Sequence, residues 1–98
     1  MRGAKIYVIA YDISDNKKRT QITKTLSDYG VRIQKSVFEC LLNNEQKNDL
    51  LFKLRLVIKK YPDNADSLIV LEDIREDQIR YLQGTNLFLS KSKKYSIV

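Results

Sequence analysis

The segment Lys5-Ile6-Tyr7-Val8-Ile9-Ala10-Tyr11-Asp12-Ile13 is an apolar, strand-type run that closes on a single carboxylate, Asp12. A basic helical pattern follows at once, with Lys17, Lys18 and Arg19 in its first turn. The chain holds no histidine and one cysteine. That removes a Ser-His-Asp triad, a Cys-His pair, a histidine-bound zinc and imidazole acid–base catalysis. Any cutting or transfer chemistry then falls first to carboxylates and a hard metal ion.

One carboxylate is a poor metal site alone, because magnesium takes carboxylate help plus water and substrate phosphates. A two-fold axis near the strand ends would bring the Asp12 side chains of two copies together. Such a pair could share one ion, orient water and polarise a phosphodiester. A local role is the commoner one for Asp12, since strand-end aspartates commonly cap the next helix or anchor a loop.

The elements that must position this residue follow from periodicity. A first strand runs from about Lys5 to Tyr11. Ser14 or Asp15 offers an N-cap oxygen, Ile22, Leu26 and Tyr29 mark one helix face, and Gly30 is expected as the left-handed C-terminal cap. Val31 to Gln34 and Val37 to Leu42 read as strands. Between them, Gln34-Lys35-Ser36 forms either a tight turn or a bulge within one bent strand.

Asn43 caps a second helix, with Gln46 placed for a capping box. Leu50, Leu51, Leu54, Val57, Ile58 and Tyr61 make its apolar stripe, and Pro62 ends it. Ser67 to Leu71 is a continuous apolar strand. A short helix over Glu76 to Leu82 and a last strand over Tyr95 to Val98 complete the expectation.

The 98 residues therefore form one domain, α+β, with the ferredoxin-like order βαββαβ and an additional C-terminal strand. The strands are apolar on both faces, while the two helices can cover only one. The other face is expected as an exposed apolar patch, which argues for a homodimer packed sheet to sheet.

Charge is unevenly spread. Net charge is +6, with eight Lys/Arg against four Asp/Glu in residues 1–42 and two against five in residues 64–90. Lys91, Lys93 and Lys94 make a basic tail. A phosphate backbone suits such a field, as do complementary patches between subunits. No segment is long and apolar enough to span a membrane, no signal peptide is visible, and the lone Cys40 suits a reducing cytoplasm.

Other side chains offer paired readings. Arg19 and Arg32 are fork-shaped donors fit for phosphate, or solvated surface arginines. Phe38 packs in the core or stacks near a nucleotide. Ser36 bonds a phosphate or its own turn. Glu39 is a second acid or half of a cross-strand ion pair.

Tyr11-Asp12-Ile13, the basic helix with Arg19, Tyr29-Gly30 and the run from Val31 through Gln34-Lys35-Ser36-Val37-Phe38-Glu39 to Cys40 together resemble the second CRISPR-associated protein family. The resemblance is strong over about Lys5 to Leu42. It implies a ferredoxin-like homodimer of spacer acquisition (antiviral defence), with Asp12 of each chain at the interface binding magnesium. It implies metal-dependent endonuclease activity on RNA or DNA, and a place bridging subunits of the CRISPR integrase. By position Asp12 becomes the catalytic residue and metal ligand. Tyr11, Arg19, Arg32, Ser36 and Phe38 become supporting or nucleic-acid-binding residues. Gln21 stands where some members carry another basic residue. The C-terminal segment carries over only as a strand that swaps onto the partner.

Three functions stay open: a magnesium-dependent phosphodiesterase, a non-catalytic DNA-binding scaffold of the integrase, and a toxin-type ribonuclease of the virulence-associated protein D kind. An RNA-recognition module expects a basic–Gly–aromatic motif that Ser36 to Cys40 does not supply. A small-molecule sensor of the ACT-like type fits the fold but not the charge.

Overall fold

The computed structural model describes residues 3–63, 65–72 and 95–97. Its elements are β1 (Lys5–Asp12), α1 (Asn16–Ser27), β2 (Val31–Gln34), β3 (Val37–Leu42), α2 (Asn44–Lys60), β4 (Ser67–Glu72) and β5 (Tyr95–Ile97). The order of the sheet is β2-β3-β1-β4-β5, antiparallel throughout, which is the ferredoxin-like arrangement with one strand added. The short helix expected over Glu76 to Leu82 and the basic tail lie outside the described residues. β5 stands where the sequence places the last strand, and it pairs with β4, Ile69 opposite Ile97.

Asp15, one of the two expected residues, caps α1 by accepting the Lys18 N–H at 2.8 Å. Asn43 and Gln46 form the full capping box of α2, each side chain bonding the other's backbone N–H. Between β2 and β3 the chain uses the tight turn, the first of the two alternatives, and a register shift lies before it within β2. Lys35 and Ser36 make a two-residue turn, and the register slips between Arg32 and Gln34, so that Gln34 faces Val37 while Arg32 faces Phe38.

Gly30 has a different role from the one expected. It does not take a positive φ, and α1 ends on Asp28 in the right-handed region. It is small because α1 returns the chain directly onto β3.

Alternation divides each strand between two faces. Tyr7, Ile9, Tyr11, Phe38, Cys40, Leu42, Leu68 and Val70 face the helices and pack with Ile22, Leu26, Leu50 and Leu54 in the main core. Val8, Ala10, Val37 and Leu71 form a second buried cluster on the other face, with Ile6, Ile33 and Ile69 packed against it. The exposed apolar patch expected there is thus corrected: its centre is buried. What stays open is the margin, where Val31 is 68% and Leu41 54% exposed. Among the described residues, no helix is long and apolar enough to cross a membrane.

Candidate metal and nucleic-acid site

β1 is the central strand, paired with β3 on one side and β4 on the other. Its last residue, Asp12, opposes Ser67 of β4 and continues the row Ile6, Val8, Ala10 on the helix-free face. The carboxylate is exposed, and among the described residues nothing donates a hydrogen bond or ion pair to it. The local work open to a strand-end aspartate is done by others: Asp15 caps the helix and Asp66 anchors the loop. Among the described residues Asp12 is left with no structural partner.

Two side chains hold the loop that follows. Arg19 donates through Nη1 to the carbonyls of Ile13 (2.9 Å) and Ser14 (3.3 Å), and through Nη2 to the Asn16 side chain. Its fork is therefore spent on backbone carbonyls beside Asp12, which makes it a clamp on this loop. On the other side, Asp66 Oδ1 accepts from both the Ser14 N–H (3.2 Å) and its hydroxyl (3.3 Å). Its Oδ2 receives Lys18 Nζ at 2.9 Å. Lys18 is 1% exposed. The Lys18 ammonium, chiefly, and the Ser14 donors hold the Asp66 carboxyl below the usual carboxylate range.

Lys18 and Asp66 are the residues that sequence reasoning missed. The signal was there: positions 18, 22 and 26 share one helical stripe, so a lysine at 18 points at the core beside Ile22 and Leu26. A buried lysine needs a carboxylate.

The remaining candidates are placed as follows. Tyr11 and Phe38 are buried on the helix side, their rings 6.4 Å apart, and Tyr11 shares a 2.7 Å hydrogen bond with Thr23. They support the end of β1 from beneath and present no ring to solvent. Arg32 is exposed at the hairpin, donating to the Lys35 carbonyl at 2.7 and 3.1 Å with its guanidinium 5.7 Å from the Phe38 ring centre. Ser36 offers its carbonyl to the Tyr11 N–H at 3.0 Å, tying the hairpin turn to the end of β1. Glu39 opposes Val8, four residues up β1 from Asp12 and so roughly 13 Å away at strand rise, which separates it from the site. Cys40 is buried, and burial first, then the Glu39 charge, pushes its thiol up to about 12.

The sequence profile described as CRISPR associated protein Cas2 matches residues 5–82. The chain belongs to the Cas2 family. Among Cas2 relatives, a "CRISPR-associated endoribonuclease Cas2 3" of Synechocystis is 46% identical over 63 residues, covering 64% of this chain and 65% of that protein. A "CRISPR-associated endonuclease Cas2 2" of Thermus thermophilus is 39% identical over 56 residues, 57% of this chain and 62% of that protein. The chain thus spans just under two thirds of the length of these Cas2 relatives. Among solved structures, a hypothetical protein, TT1823, from Thermus thermophilus superposes with a TM-score of 0.62 at 35% identity, over 69% of this chain and 79% of that one. A chain in a partial Cas6-RT-Cas1–Cas2 complex gives 0.67 at 28%, over 79% and 80%.

Among the described residues no three His, Cys, Asp or Glu side chains converge. One exposed carboxylate without a protein partner nevertheless fits a hard cation that keeps most of its waters and takes substrate phosphate oxygens.

Proposed function

We propose that this protein binds nucleic acid in CRISPR spacer acquisition and cleaves phosphodiester bonds with magnesium held by Asp12. The observation that carries the reading is the idleness of Asp12 within the fold. It ends the central strand, two clamps fix the loop beside it, and its oxygens serve no cap, anchor or ion pair among the described residues. The printed names of the relatives, endoribonuclease and endonuclease, support the same reading.

In this account the magnesium ion supplies Lewis-acid polarisation of the scissile phosphate and lowers the pKa of attacking water. Asp12 binds and orients the cation, and a second copy of the chain contributes the other Asp12. Arg19 keeps the Asp12 loop in place. Arg32 and the exposed Lys17 draw in the phosphate backbone, without reading bases. The chain works in the reducing cytoplasm, where its one thiol stays unpaired.

A second reading is supported by the solved neighbour that lies in a partial Cas6-RT-Cas1–Cas2 complex. There the dimer is a DNA-bridging scaffold of the integrase, and Asp12 is catalytically idle. One assay separates the two: cleavage of labelled single-stranded RNA and duplex DNA, with magnesium and with EDTA, by wild type and Asp12→Ala of matched oligomeric state. Cleavage that requires both magnesium and Asp12 is expected. Cleavage surviving the substitution, or none at all, would leave the scaffold.

A further inference from the structure

Lys18 breaks two local rules at once. It is the third helical residue of α1, where the helix dipole disfavours a cation, and it is buried, where an ammonium loses its hydration. A hydrophobic residue at this point of the Ile22–Leu26 stripe would satisfy the core. Buried ion pairs are weak contributors to stability, and their best-attested use is to fix one arrangement among several. The question is what this pair fixes.

Its surroundings answer that. Asp66 lies next to Ser67, and Ser67 is the register partner of Asp12 on β4. Ser14, the other group that Asp66 binds, is two residues beyond Asp12 on the β1 side. One carboxylate therefore grips the chain just after Asp12 and sits beside the residue facing Asp12, while Lys18 holds that carboxylate from inside the core. Arg19, the next residue along α1, closes the loop from its other end through Ile13 and Ser14. The backbone that carries Asp12 is fixed from both α1 and the segment before β4.

We infer that the buried Lys18–Asp66 pair, together with Ser14, is a positioning device that sets the direction of the Asp12 carboxylate. Neither residue touches the reacting atoms; both act through the loop. The inference rests on the reading of Asp12 as the metal-binding residue, but its geometric half does not need a metal.

The test uses the metal-free full-length chain and NMR. In wild type the Ser14 amide should be protected from exchange, and the Asp12 carboxyl carbon should give a resonance displaced from that of an unstructured aspartate. In Asp66→Ala, loss of Ser14 protection and return of the Asp12 resonance to the unstructured value are expected. The amide of Ile9, in the middle of β1, should keep its protection and report an intact sheet. If Asp66→Ala does not fold, Asp66→Asn, which keeps one acceptor oxygen for Ser14 but removes the charge that Lys18 pairs with, is read by the Asp12 resonance alone. An unmoved Asp12 resonance would overturn the inference, whether or not Ser14 is released.

Manganese titration adds the metal arm. Affinity should fall roughly tenfold or more in the Asp66 variant, the range typical of groups that orient a ligand. Unchanged affinity there, with affinity lost in Asp12→Asn, would also overturn it. Manganese binding indifferent to Asp12→Asn would instead sink the metal reading of Asp12, leaving the NMR result to decide the positioning role.

Discussion

Gly30 lies so close to β3 that a methyl group on its α-carbon would come within 2.5 Å of the Cys40 Sγ, and closer still to the Glu39 carbonyl oxygen. Real carbon atoms do not approach backbone at such a distance, and neither partner is a flexible chain end. The chain leaving α1 is thereby held directly against β3 as it enters β2.

Gly30→Ala should therefore destabilise the fold by about 1–3 kcal/mol, the usual range for overpacking a rigid contact. Urea unfolding of the variant against wild type measures it. A neutral result would mean that the segment around Gly30 can move off β3 at little cost.

Asp12→Ala should leave stability within about 0.5 kcal/mol of wild type, because no structural bond is lost. Thermal unfolding is the check, and it doubles as the control for the nuclease assay. A large fall would return Asp12 to a role in the fold.

Acid should loosen the loop beside Asp12. Asp66 titrates below its ordinary range because Lys18 and Ser14 favour its charged form. Its stabilising effect is complete above the unfolded carboxylate value, about 3.9, and is lost as the pH falls through the lower folded value. Unfolding followed from pH 6 down to pH 2 should show an acid-dependent component that Asp66→Asn lacks.

Cys40 should be inert in the native state. Its thiol, raised to about 12 by burial and then by Glu39, stays protonated at neutral pH, and the thiolate is the reactive form. A thiol reagent at pH 8 should label the protein only at the rate of unfolding. The linked stability is full below the unfolded thiol value and declines as the pH rises from there toward about 12.

The architecture was legible because its local signals agree with one another. The apolar run of β1, the Asn43–Gln46 box and the α2 stripe each point to the same βαββαβ order, and each is found where the pattern places it. Asp12 was legible as the residue ending the central strand. Its freedom was not, because whether a carboxylate is idle depends on which neighbours take the structural work, here Asp15 and Asp66. The Lys18–Asp66 pair joins positions 48 residues apart, and a basic first turn reads from sequence as solvated. Gly30 was recognised as necessary for the wrong reason: a helix end suggests backbone conformation, while the contact with β3 is tertiary. Tyr11 and Phe38 went to the helix side by simple alternation, which a family motif does not encode.

The central place of β1 has a consequence for how the chain is made. The strand is translated before both of its neighbours, β3 and β4, and Glu72 at the end of β4 follows Asp12 by sixty residues. At roughly 5–20 residues per second on the ribosome, β1 waits several seconds with one edge bare. Throughout that interval the nascent protein offers a long apolar strand to any other chain nearby. Asp12, capping that strand with a charge, would then act as a gatekeeper against wrong pairing before it ever meets a cation.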